Sequence, residues 1–288
     1  GCLLLDAVVA DSGGGVHRLL DVVLLQQVAA LGRVSPDASQ AVRQCIANHA
    51  LARQGRLLEA MFRQPQPWGT WGLVLNLPSS ADLARWAMYN SDLFLALGHT
   101  HAAYRWAYNQ STLLGPTYNN TRQLAQCALV DGNEAIAAKY AAVLERTLFY
   151  RAAGAAVRHQ LADREGTARR FASLRRFRPR LEIDVALGEL GALLALVESE
   201  PDNRLAVDYL VAWCLLDKQA LPLAVDQIAR HLNRHYARMP LHCQEALLLW
   251  AAPEPGAAAE VDRLCSPAVL QQFAGVADVL AAVGRGTA

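Results

Sequence analysis

The chain has 288 residues, 53% of them hydrophobic and 18% charged, with a formal net charge of +1. That is enough apolar material for a sizeable core without disulfide support. So small a net charge argues against a general polyanion binder. The six cysteines (Cys2, Cys45, Cys127, Cys214, Cys243, Cys265) contain no Cys-x-x-Cys pair. A zinc ribbon or a thioredoxin-like site therefore has no support, and the cysteines read as small core residues.

No run reaches the roughly 18 apolar residues of a membrane span. The chain starts at Gly1, and it reads as a processed product or the soluble part of a longer protein. Gly1-Cys2 also resembles the end of a lipoprotein cleavage site. Gly13-Gly14-Gly15 breaks the chain, and Val16 to Leu31 reads as a helix. Ser35-Pro36-Asp37 starts the next, which runs to about Gln54 and stops at Gly55. After a short helix from Leu57 to Phe62 comes a long connection, Gln64 to Gly72, whose Trp68 and Trp71 are expected to cover the core. Leu73 to Leu77 is extended or a turn of helix.

Four helices follow in two pairs: 81–97 with 100–114, and 118–130 with 134–148. Gly98 and Gly132 sit 34 residues apart at the turn of each pair, and Ala103/Ala137 and Ala107/Ala141 keep that offset. This is the tetratricopeptide period, with glycine at the turn and small residues where helices cross. The leucine and aromatic positions of the first helix of each pair are irregular. Another helix spans 151–161, and Arg169 to Arg180 carries six arginines. Leu181 to Glu198 is helical. Ser199 to Tyr236 is a helical hairpin, opened by Pro201-Asp202-Asn203 as a capping turn and broken near Asp217-Lys218-Gln219. Pro240 begins a helix through Trp250. Weaker helices over 257–264 and 267–283 finish the chain. No alternating strand pattern competes.

The expected fold class is all-α, antiparallel helix pairs stacked as a tetratricopeptide-like α-solenoid. It forms one domain over 1–288, with N-terminal helices over 1–64, a repeat core over 79–250 and capping helices over 251–288. The 34-residue register resembles tetratricopeptide-like repeat proteins. A closer resemblance is to an uncharacterised family of Bacteroidetes proteins. It rests on Asn48 to Gly55, Leu97 to Ala103, Thr147 to Tyr150, Pro201 to Leu210 and Pro240 to Leu247. In that family a multi-spanning membrane portion precedes a helical-repeat region. The resemblance implies a membrane-associated full-length protein, with the periplasmic side favoured, and implies no activity.

No catalytic motif stands out. His231 and His235 lie four apart, with His242 as a third ligand candidate, but no His-Glu-x-x-His accompanies them, and a polar face is the better reading. His99-Thr100-His101 falls at an inter-helix turn, where polar residues are expected. His242 and Cys243 are helix neighbours about 100° apart and do not make a nucleophile–base pair. Gly13-Gly14-Gly15 lacks the Gly-Lys-Ser/Thr of a phosphate loop, and no Gly-x-Ser-x-Gly elbow is present. No metal site and no cofactor are expected.

Two groups remain. Trp86, Tyr89, Trp106, Asn109 and Tyr118, with Tyr108, are candidates for a concave peptide-binding face, against core packing. Arg169, Arg170, Arg175 and Arg176, with Arg178 and Arg180, are candidates for an anionic membrane surface, against a solvated connection paired with Asp163 and Glu165. The expected function is a non-enzymatic helical-repeat module that binds a protein or peptide beside a membrane, with no nucleic acid partner. The alternative is an accessory or scaffold domain of a membrane enzyme whose catalytic part lies elsewhere.

Overall fold

A computed structural model describes residues 36–75, 80–177, 188–251 and 258–275; the side chains of 36–39, 80–86, 218 and 258–260 are outside that description. The readings for Gly1-Cys2, the triglycine, the 16–31 helix, Arg178, Arg180, residues 181–187 of the expected 181–198 helix and the end of the last helix lie outside the described residues. Among the described residues there is helix and no strand. No helix there is long and apolar enough to cross a membrane. The chain divides into two compact units, residues 1–50 with 71–200, and residues 51–70 with 201–288. The stretch expected as one repeat core over 79–250 is thus shared between them.

The first unit contains most of α1 (Pro36–Arg53), then α3 (Ser80–Ala96), α4 (Thr100–Leu114), α5 (Tyr118–Val130), α6 (Glu134–Glu145), α7 (Arg151–Ala162), α8 (Arg164–Arg170), α9 (Ala172–Arg176) and α10 (Gly188–Ser199). The second unit holds α2 (Leu57–Ala60) and the later helices described below. Consecutive helices from α3 to α7 pack on one another, and α5 also meets α3 and α7.

The turns explain the helix boundaries. At Gly98 the chain goes left-handed (φ 85°), and the His99 N–H donates to Phe94 O while Gly98 N–H donates to Leu95 O. Gly132 does the same (φ 74°), with Asn133 N–H to Ala128 O and Gly132 N–H to Leu129 O. Each is a Schellman closure that satisfies the last carbonyls of the preceding helix. The next residue then caps the following helix. His99 Nδ1 accepts from Ala102 N–H at 3.2 Å, and Asn133 Oδ1 from Ile136 N–H at 3.2 Å. Ala103, Ala107, Ala137 and Ala141 are fully buried where the helices cross. Thr100 Oγ1 ties one turn to the other by donating to Asp131 Oδ1 at 2.6 Å.

Trp68 is half-buried and Trp71 a little over a third exposed, whereas Leu73, Val74 and Leu75 are buried. They are neither helix nor strand. Their backbone is satisfied by side chains: Asn90 accepts from Leu75 N–H at 2.9 Å and donates to Leu75 O at 2.7 Å, as a neighbouring strand would. His99 and Thr100, expected as ordinary polar turn residues, are buried.

In the second unit α2 packs on α11 (Arg204–Leu216) and on α14 (Leu241–Ala251), and α11 packs on α12 (Leu221–Gln227). Asn203 caps α11 by accepting from Ala206 N–H at 3.2 Å. The second arm of the expected hairpin is not one α-helix. It passes from α12 into a π segment, Ile228–Leu232, and then α13 (Asn233–His235). α14 and α15 (Ala258–Leu264) follow, with a helical stretch over 267–275. Leu57, Leu58, Met61, Tyr209, Leu210, Ile228, Leu232 and Leu247 form its core. Cys45, Cys127, Cys214, Cys243 and Cys265 are buried and unpaired. Burial pushes the thiols of Cys45 and Cys214 up to about 12, so they pack as small apolar groups.

Candidate functional site

The spacing of α5 places Tyr118, Arg122 and Gln126 one turn apart on a single stripe. On α7, Ala153, Ala156, Val157 and Gln160 share a face in the same way. The small residues at 153 and 156 leave room between the two helices. The result is a cavity of about 190 Å³ lined by these side chains together with Leu129, Arg170 and Phe171. A second cavity of about 310 Å³ shares Leu129 and Gln160 with it, and adds Gly132, Glu134, Leu161, Arg164, Thr167, Ala168 and Arg175. The two make a groove along α5 and α7 with α8 at one side. α5 rises about 18 Å over its length, the reach of five or six extended residues.

Its lining includes four arginines and one carboxylate, Glu134. Arg164 donates to Glu134 at 2.7 Å. Arg175 donates through Nε to Val130 O and through Nη2 to Leu129 O, both at 2.9 Å. It caps the C-terminal carbonyls of α5 and pairs with no carboxylate among the described residues. Thr167 is buried, and its hydroxyl donates to Gln160 O at 2.6 Å. Phe171 is fully buried and anchors the α8–α9 junction, so Arg170 is held beside the groove.

The two residue sets named from sequence are therefore recombined. Of the aromatic set, the groove takes Tyr118, whose ring meets Tyr150 at 4.6 Å. Trp106 is buried in the helix interface, with Nε1 lacking a partner. Tyr89 is half-buried on α3, and burial pushes its phenol upward. Asn109 is exposed on α4, and its carbonyl accepts from Thr112 Oγ1 at 2.8 Å. The side chain of Trp86 lies outside the described residues. Of the arginines, Arg170 and Arg175 line the groove. Arg169 is exposed and pairs with Glu165 at 3.6 Å. Arg176 is exposed and reaches Glu200 at 4.0 Å. Arg122, Gln126, Gln160 and Arg164 were missed. Their signal was present as polar residues at helical spacing, which a search for apolar periodicity passes over.

His235 and His242 are engaged separately, while His231 Nδ1 has no hydrogen-bond partner among the described residues. His231 lies on the π segment and burial pulls its imidazole down. His235 Nε2 is 2.9 Å from Pro201 O, and His242 Nδ1 is 2.7 Å from Glu245. Among the described residues no group of three or more His, Cys, Asp or Glu is placed to share a metal ion. A buried acid stands out in the second unit. Asp208 is 1% exposed, accepts from Tyr236 OH at 2.9 Å and has Arg204 Nε at 3.8 Å. The Arg204 guanidinium lies 4.4 Å over the Tyr236 ring and donates to Gly55 O at 2.7 Å. Burial pushes Asp208 up to about 7, against the lowering pull of Tyr236 and Arg204. This triad joins three segments of the second unit and reads as a structural tie.

The molecule is thus an all-helical protein of capped helical hairpins, with an arginine-lined groove on the first unit. Over residues 26–281 the chain matches the model of a family of unknown function, DUF6057, and it belongs to that family. No curated protein and no solved structure matches it.

Proposed function

We propose that this chain is a helical-repeat module that holds an extended, acidic segment of a protein partner in the groove between α5 and α7. The observation that carries the reading is that groove: two adjoining cavities that share Leu129 and Gln160, with four arginines and one carboxylate in their lining. Charged rims of this kind select a partner of opposite sign and speed its encounter. Arginine also offers paired donors to a carboxylate. The repeat reading draws on the recurrence of the left-handed glycine, the following cap and the buried alanines after 34 residues. Tetratricopeptide-like stacking and a non-enzymatic role belong to this proposal. So does a place beside a membrane, which the Bacteroidetes-family resemblance supports.

The test is binding of labelled peptides of matched length, acidic against basic, followed by fluorescence anisotropy. The acidic peptides bind and the basic ones do not. R122A with R170A weakens the acidic set by roughly tenfold or more, and added salt weakens it further. Equal binding of both sets, or no change in the double variant, removes the reading.

A further inference from the structure

The most exposed of the large apolar side chains of the first unit gather at one end of it. Leu148 is 78% exposed and Phe149 85%, in the connection between α6 and α7. Leu113 and Leu114, each 52% exposed, close α4 just before the connection to α5. Helices α4 to α7 pack consecutively and run up and down, so these two connections share an end. A direct contact confirms it: Tyr118 opens α5, Tyr150 precedes α7, and their rings are 4.6 Å apart.

The two connections are basic. Over residues 109–122 and 144–152 the only carboxylate is Glu145, which is bound by Arg158 Nε at 2.6 Å. Arg146 and Arg151 bracket Thr147-Leu148-Phe149-Tyr150, and neither makes an ion pair with a described residue. The carboxylates of the neighbouring turns, Asp131, Glu134, Asp163 and Glu165, lie at the far ends of these helices.

We infer that this end docks on an anionic lipid surface, with Leu148 and Phe149, joined by Leu113 and Leu114, entering the interfacial layer, and Arg146 and Arg151 meeting the headgroups. The charge beside the exposed side chains sets the kind of partner: Leu148 and Phe149 project between Arg146 and Arg151, an apolar tip flanked by cations, which suits an interfacial layer under anionic headgroups. Apolar tips with uncompensated cations beside them supply the two signals that reversible lipid anchoring requires. This surface is not the arginine set singled out from sequence, two of whose members face the groove. The inference stands apart from the peptide-groove reading and does not rest on it.

The experiment is co-sedimentation of the full chain with phosphatidylcholine vesicles, with and without phosphatidylglycerol. The wild-type chain pellets with the anionic vesicles. L148S with F149S lowers the bound fraction roughly tenfold or more. R146Q with R151Q weakens binding to anionic vesicles and leaves neutral ones unchanged. Circular dichroism shows all variants folded, because the four side chains are exposed. Wild-type protein that stays in the supernatant overturns the inference, as does L148S/F149S that pellets like wild type. A concentration-dependent dimer that L148S/F149S abolishes, with no vesicle binding, also overturns it and assigns the patch to a second copy of the chain.

Discussion

His99 is a cap that works only when neutral. Its Nδ1 accepts from Ala102 N–H, so the ring nitrogen must carry no proton. Burial, with His101 and Arg105 nearby, lowers its pKa from 6.5 to about 4. The unfolded chain takes up the proton first. The stability His99 contributes is complete above about pH 6.5 and is lost as pH falls toward 4, on the order of 3 kcal/mol at most. Asp208 works in the opposite direction. Its folded pKa is raised to about 7, so its contribution is complete below the ordinary carboxylate range, near 4, and is lost as pH rises through 7. The two trends oppose each other over nearly the same window. H99N keeps the cap, as Asn133 and Asn203 do in the same backbone conformation, and removes the first trend. Urea denaturation of H99N should therefore show stability falling from pH 4 to 7, and D208N should show it rising. Parallel profiles for both variants and wild type would contradict this. Y236F leaves Asp208 without its hydroxyl donor and should cost about 1–3 kcal/mol at pH 7 in the same assay.

The two hairpin turns differ in one respect that a mutation can read. Gly98 and Gly132 share a left-handed backbone, so alanine costs about 1 kcal/mol of strain at either. A Cβ on Gly132 meets nothing within 4 Å, whereas one on Gly98 would lie 2.6 Å from Phe177 Cβ. G98A should therefore lower the thermal midpoint by at least twice as much as G132A; equal shifts would refute the packing argument. These turns were legible in the sequence because their causes are local. Gly, Asn and Asp at fixed offsets announce where helices stop and start, and α4 and α5 begin and end where that reading puts them. Long-range causes were not legible. Asn90 satisfies Leu75 from fifteen residues away, and Arg175 caps α5 from forty-five. The π segment at Ile228–Leu232 keeps Ile228 and Leu232 buried, so its apolar pattern passes for an α-helix.

At the scale of the molecule, the sequence separated what the fold combines. Tyr118 was read with the aromatics and Arg170 with the basic cluster, because they are 52 residues apart in the chain. The packing of α5 against α7, with α8 beside them, puts both in one groove with Arg122 and Gln160, which no motif marks. Leu148 was assigned to the end of a helix that in fact stops at Glu145, and it lies with Phe149 in the exposed connection that follows. The proposed seat of the partner segment is the α5–α7 groove. It is tested most directly by placing a photoreactive side chain at Gln126, inside the groove, or at Lys139, exposed on α6, in the full-length protein in its own cells. The account predicts a discrete protein adduct from position 126 that R122A with R170A abolishes, and none from position 139. Adducts of equal yield from both positions, or an adduct at 126 indifferent to the two arginines, would contradict it.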